Sequence, residues 1–408
     1  MDWEPGKKSV AEPSAWSQAL LVELAVSPDG ERLAAVLREE GSARVVVNGE
    51  PWETSFDKAW YLRFSPDGRL TALVNADMKW TVAVDGKPWE AAFGFAWNTL
   101  FSRAGDVMAA CVQDNGRYLA AVDGKPWKQG FFDLSDLVLS AEGGRTAAVV
   151  QAKALAEGDV FAFDQGAFAV AVDGKPWDNT FVNCWTPVFS PDASSVAAQV
   201  RTSPREYTVA VDGKPWEQGF ACVWEPRFSP ADGSVTVPAR TPKGWALVRD
   251  GRPLWDKTFA QVLSHEYSPD GSRVAAVVAP SFGKWTVAVD GRPWRARFDQ
   301  AVFDLCFSPD SGRVAATVRH RGKWTLACDG TTWDESFDMV GPPVFSPDGS
   351  RLAARVRRGD TWTVFVDGKP AGDAYARAFD PVFNDDGVRV LVRGISARGL
   401  YFRQVVAL

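Results

Sequence analysis

Hydrophobic and polar positions alternate through short runs along most of this chain, and Pro, Asp and Gly cut the runs at regular intervals. In the stretch 58–93, Lys58-Ala59-Trp60-Tyr61-Leu62-Arg63-Phe64 alternates with an aromatic bias, the pattern of a strand with one buried face. Ser65-Pro66-Asp67-Gly68 follows. Pro66 fixes φ at the second turn position, and Asp67 and Gly68 accept the remaining turn geometry. The chain returns through Arg69 to Val74 and alternates again over Trp80 to Val84. Asp85-Gly86 is the pair favoured where both central residues of a hairpin need positive φ, and it leads into a fourth strand over Lys87 to Phe93. Four antiparallel strands in about 38 residues make one β-propeller blade, with no room for a helix.

The same unit recurs along the whole chain. The turn signal, intact or worn, begins at Ser27, Ser65, Ser102, Ser140, Ser190, Ser229, Ser268, Ser308, Ser346 and Asn384. Successive starts lie about 38 to 40 residues apart, with one step of about 50 after Ser140, and such periods belong to propellers or solenoids. Copies of the Asp-Gly-Lys-Pro-Trp hairpin end at Trp52, Trp89, Trp127, Trp177, Trp216, Trp255, Trp294 and Trp333. An aromatic residue stands five positions before the Asp in every copy except the first, where Ala43 takes its place. The expected architecture is all-β: residues 1–408 form a single propeller domain of ten four-stranded blades in one ring, with two five-bladed rings as the alternative. The last unit stops after a third strand, Leu400 to Val406. The N-terminal stretch, with Ser9-Val10 and Trp16, is expected to supply the missing fourth strand and leave no edge open. The extra residues Gln151 to Gln165 read as a loop on one blade.

Composition narrows the function. With 408 residues, 46% of them hydrophobic, there is ample material for a core. Alternating Ala-rich strands let blades press together, and most of the 19 Trp are expected to fill the wedges between them. The start, Met1 to Lys8, shows no secretory pattern and no stretch has the length of a membrane span, so a cytoplasmic protein is expected. Cys111, Cys184, Cys222, Cys306 and Cys328 are scattered without metal-ligand spacing and read as buried free thiols. His265 and His320 are the only histidines and are expected at the surface. No haem, iron–sulfur cluster or transition metal is expected. A net charge of −6 argues against nucleic acid. The balance is uneven: residues 311–408 hold 14 Lys plus Arg against 11 Asp plus Glu, a net of +3 that leaves −9 for the rest. Within that basic part, Arg351, Arg355, Arg357 and Arg358, with the loop Arg319, His320, Arg321 and Lys323, are the candidate docking residues for an acidic partner or an anionic membrane surface. A solvated strand face is the plainer account of the same charges.

Catalytic patterns are missing. The chain has no Gly-rich phosphate loop, Gly-x-Ser-x-Gly elbow or His-Glu-x-x-His pair, and its carboxylates belong mostly to turns. Ten copies of one turn cannot be ten active sites. The Phe-Ser-Pro-Asp-Gly turn before an Ala/Val-rich strand, at Phe64 to Gly68 and Phe345 to Gly349, resembles the WD-like repeats of TolB-type propellers over nearly the whole chain. The density of Trp and the repeated Trp-Thr-Val-Ala-Val-Asp-Gly-Lys-Pro-Trp are similar to the tryptophan-rich subunit of the Tmc transmembrane redox complex of sulfate-reducing bacteria. That resemblance implies a cofactor-free accessory subunit at the cytoplasmic side of the membrane, beside a cytochrome b and an iron–sulfur subunit. The expected function is therefore a non-catalytic scaffold. A small-molecule, glycan or peptide binder or hydrolase using a central channel is the alternative.

Overall fold

Ten antiparallel sheets follow one another along the chain, one for each turn signal, and the fold is a ten-bladed β-propeller. The structure is a computed structural model that describes residues 1–13, 16, 20–156, 158 and 160–408. By Cα packing the chain divides into two compact units: Ser17–Pro28 with Arg32–Phe228, and Met1–Trp16 with Asp29–Glu31 and Ser229–Leu408.

The second blade shows how the repeat folds. Its strands Lys58–Phe64, Leu70–Ala76, Lys79–Val84 and Lys87–Pro88 lie side by side in chain order. Asp85 and Gly86 take φ of 47° and 84°, as the hairpin requires. The Asp85 carboxylate also accepts the backbone N–H of Leu70 at 2.9 Å, so the second hairpin is tied to the strand that leaves the first. The Ser-Pro-Asp-Gly turns use their first residue in the same way. Ser268 is fully buried; its hydroxyl donates to Asp270 at 2.6 Å and accepts from the Arg273 N–H at 2.9 Å.

The fourth strand is shorter than its sequence suggests. It pairs only over Lys87–Pro88 and touches the third strand again at an isolated Trp80–Phe93 bridge. Pro88 has no N–H to donate, and beyond Trp89 the Thr81 hydroxyl takes up the Ala91 carbonyl at 2.7 Å in place of a ladder bond. The interruption recurs with bridges such as Tyr118–Phe131 and Trp285–Phe298.

The tenth blade is completed from the other end of the chain. Gly6–Ala11 pairs antiparallel with Tyr401–Ala407, from Gly6 opposite Val405 to Ala11 opposite Tyr401. Lys7 anchors it, with Nζ 4.1 Å above the Phe402 ring and 2.6 Å from Asp373. Trp16 lies outside this strand.

Within each unit, successive blades share an apolar layer. Leu73, Val82, Phe93, Ala96, Met108, Ala110, Val112 and Ala121 join the second blade to the third. The alanines let the sheets approach, and each fully buried large side chain contributes about 1.5–3 kcal/mol. Two polar-edge devices repeat alongside. The hairpin Trp of one blade packs against the positive-φ Gly of the next, as Trp52 does on Gly86, Trp89 on Gly124 and Trp294 on Gly330. The Arg that follows the first turn reaches across to the next turn's carbonyls: Arg32 to Gly68, Arg145 to Ala193 at 3.0 Å, Arg273 to Gly312 at 3.0 Å and Arg313 to Ser350 at 2.8 Å.

The extra residues after the fourth turn hold the one helix found among the described residues, Val160–Asp164.

Candidate functional site: an aromatic blade end

The two ends of a blade differ. At one end, the turn end, lie the Ser-Pro-Asp-Gly turn and the Asp-Gly hairpin, whose side chains repeat from blade to blade and are occupied by the contacts above. At the other, the entry end, the first strand begins and the second strand reverses into the third. Loop length and sequence vary here, from Asp77-Met78 to the insertion around Val160–Asp164. Among the described residues, every large hydrophobic side chain that stands exposed, except Met1 and Val388, is at an entry end or on the first half of a first strand. Most belong to the Ser17–Phe228 unit, including Leu20, Trp60, Met78, Phe95, Phe132 and Phe161. Variable loops on a regular scaffold and a concentration of exposed apolar area both mark a binding surface.

A β-bulge builds this surface. In the first strands of blades two to five, pairing with the second strand shifts just after Trp60, Trp97, Ser135 and Trp185. The next residue in each case, Tyr61, Asn98, Asp136 or Thr186, takes φ between 45° and 57°. That conformation is costly for a Thr or Tyr, and a bulge re-aims the neighbouring side chain. Asp136 helps hold the array, its carboxylate accepting the Thr186 N–H at 3.1 Å.

Trp60 and Trp97, which precede two of these bulges, join neighbouring rings in a continuous ladder over blades two and three. Trp60 meets Trp80 at 6.1 Å between centroids, Trp80 meets Phe95 at 5.4 Å, Phe95 stacks on Trp97 at 5.8 Å, and Trp97 meets Tyr118 at 6.0 Å. Trp60 is 42% exposed and Phe95 37%, while Trp80 and Trp97 are half-buried against the apolar layer, so the ladder runs from the core out to solvent. Phe132 lies beyond it with the Arg117 guanidinium 4.0 Å above its ring. Blade five repeats the pairing with Trp185 stacked on Tyr207 at 6.1 Å. Blade four has Ser135 in the Trp position. There the insertion supplies the aromatic partner, Phe163 lying 6.4 Å from Phe168, while Phe161 of the same short helix is 84% exposed.

Sequence reading missed this ladder. The available signal was that Trp60, Trp97, Trp185 and Trp224 all stand five residues before the Ser of their turn, a different register from the hairpin tryptophans. The residues expected to dock partners lie on blades eight and nine and are largely engaged by the blades themselves. Lys323 is 2.6 Å from Asp338, Arg355 is 2.8 Å from Asp380, Arg351 is 3.5 Å from Asp367, and Arg358 pairs with Glu335. His320 Nδ1 lies 3.1 Å from Asp299, which also accepts the Arg321 N–H. Arg319 and Arg357 lie over Trp324 and Trp362. The Lys323 ammonium and the Gly359 N–H hold the Asp338 carboxyl below its ordinary range, as the Arg321 N–H does for Asp299. Arg351 is at the turn end of its strand and the other seven are not, so the eight do not form one patch.

His265 is buried, not at the surface as expected: it sits in the first strand Gln261–Tyr267, 1% exposed, with its ring 6.3 Å from that of Tyr267. A residue three before the turn Ser faces the interior, as Leu62 does in blade two. Cys111 and Cys184 are buried and the other three cysteines half-buried, all five free. Burial pushes the Cys111, Cys306 and Cys328 thiols up to about 12. Among the described residues, no group of three or more His, Cys, Asp or Glu is placed to hold a metal ion. Nor is any helix long and apolar enough to cross a membrane.

No protein-family model matches the chain, and no curated protein matches it. Neither comparison supports the resemblance to the Tmc subunit. Among solved structures, the crystal structure of the eukaryotic initiation factor is similar at 14% identity, with a TM-score of 0.51 over 84% of this chain and 90% of that one. At that identity the likeness shows the β-propeller fold alone.

Proposed function

We propose that this chain is a non-catalytic protein-interaction scaffold whose partner-binding surface is the aromatic entry end of the Ser17–Phe228 unit. The observation that carries the reading is the concentration of exposed apolar side chains at the irregular blade ends, opposite a turn end whose repeated side chains make internal contacts. Repeat surfaces of this kind offer broad contact area from a rigid frame, and interface cores are enriched in Trp, Tyr and Phe. The finer reading, an accessory subunit beside a membrane electron-transfer complex, rests only on the tryptophan-rich hairpins.

Gentle affinity purification from the native host, with mass spectrometry of what is retained, tests both. Protein partners lost in the Trp60→Ala/Phe95→Ala variant support the proposal, and cytochrome b and iron–sulfur subunits among them support the finer reading. A protein that carries only a small ligand, or partners retained in full by the folded variant, overturns the scaffold surface proposed.

A further inference from the structure

Resting on that reading, we propose that the aromatic ladder of blades two and three receives an arginine-bearing, basic segment of a partner protein. Charge is the first argument. The Ser17–Phe228 unit, without residues 29–31, holds 19 Lys plus Arg against 26 Asp plus Glu, a net of −7. The remaining residues hold 26 against 25, a net of +1. The acidic unit is thus the one that carries the ladder. Asp57 and Asp77 are exposed at the entry end of blade two, the blade of Trp60 and Trp80, with the Asp77 N–H donating to the Asp57 carboxylate at 3.1 Å. Of the cations on this edge, Lys79 is 3.6 Å from Asp114 and Arg117 lies over Phe132, and Lys58 is exposed on the first strand of blade two.

Ring chemistry is the second argument. A cation over an aromatic face is attracted by the ring quadrupole, and a planar guanidinium stacks where an ammonium cannot. The protein uses this contact throughout, and among the described residues every instance apart from those of Lys7 employs Arg. At the entry ends of this unit Arg117 already covers Phe132, and Arg201 lies 5.7 Å from the Tyr207 centroid. Among the described residues no such cation covers Trp60, Trp80, Phe95 or Trp97. Trp60 and Phe95 are exposed and Trp80 and Trp97 half-buried, so the ladder offers rings without a cation in a setting where neighbouring rings carry guanidinium groups.

Fluorescence anisotropy of the full chain with three labelled eight-residue peptides, alternating Gly with Arg, Lys or Glu, tests the proposal. The Arg peptide is expected to bind at least several-fold more tightly than the Lys peptide, the Glu peptide not to bind, and raising salt from 50 to 500 mM to weaken binding at least tenfold. Trp60→Ala/Phe95→Ala should weaken the Arg peptide at least tenfold, whereas Met339→Ala, an exposed apolar residue of the other unit, should leave it unchanged. Equal affinity for Arg and Lys peptides, or Arg-peptide binding indifferent to the ladder variant, overturns the inference. If host partners depend on the ladder but the Arg peptide does not displace them, this inference fails while the scaffold reading stands; partners indifferent to the ladder defeat the scaffold reading itself.

Discussion

Gly124 and Gly116 lie in the same blade at φ of 79° and 70°, yet only one of them faces a neighbour. A Cβ on Gly124 would sit 3.1 Å from Trp89 of the preceding blade, while one on Gly116 would meet nothing within 4 Å. Gly116→Ala should therefore cost only the left-handed strain, about 1 kcal/mol. Gly124→Ala should cost about 1–3 kcal/mol more, because the indole cannot move without opening the blade interface. Urea midpoints of the two variants decide it, and equal shifts would show that the Trp–Gly contact is not a packing joint. The turn aspartates make a second residue-scale prediction. Hydrogen bonds from Ser190, Ser234 and Ser346 hold Asp192, Asp232 and Asp348 at about 2, from an ordinary 3.8. A folded pKa below the unfolded one gives stability that is fully present above the ordinary value and is lost as pH falls through the folded one. The melting temperature should thus drop between about pH 4 and 2, and Ser346→Ala should flatten part of that drop. An identical melting temperature at pH 6 and pH 2.5 would contradict it. The role of the turn Asp was legible in the sequence because it is local. The partner of the hairpin Trp was not, because it sits a whole repeat away.

At the scale of the element, periodicity carried far. Turn spacing gave the blade count, and the missing fourth strand after Val406 pointed to the N-terminal residues that supply it. Side-chain direction was less accessible. A single-residue bulge after Trp60 changes what the first strand displays, and nothing in the alternation of Lys58 to Phe64 announces it. Removing residues 1–11 takes away Gly6–Ala11 and exposes the edge of Tyr401–Ala407. A lower melting temperature and early proteolysis near the tenth blade are expected, and an unchanged melt would show that the strand is dispensable. The basic strand Leu352–Arg358 illustrates the same gap between sequence and display. From sequence, reversing Arg355, Arg357 and Arg358 to Glu should leave the fold intact and weaken docking. In the structure Arg355 and Arg358 face Asp380 and Glu335. The triple reversal would set like charges against each other, half-buried at Asp380 and exposed at Glu335, so a lowered melting temperature is expected for the isolated protein. A parent-like melt would return these arginines to the list of available surface cations.

For the whole molecule, stability is distributed over many similar joints. Apolar layers join successive blades within each unit, and the Trp–Gly and Arg–carbonyl contacts repeat along their edges. All five cysteines are free, and among the described residues nothing gathers ligands for an ion. Each of these joints draws on burial and hydrogen bonding, which are insensitive to redox state and chelation. Excess EDTA and excess reductant should accordingly leave the melting temperature within a degree of its untreated value, and the purified chain should show no visible absorption band. The thiols give an independent readout of the same packing. Burial holds Cys111, Cys306 and Cys328 at about 12, so little thiolate is present at pH 8, and alkylation of the folded chain should be slow and should accelerate sharply on unfolding in urea. A chelator-induced fall in the melting temperature, or cysteines that react in the folded chain as fast as in the unfolded one, would show that the joints are looser than this and that something other than repeated packing holds the blades.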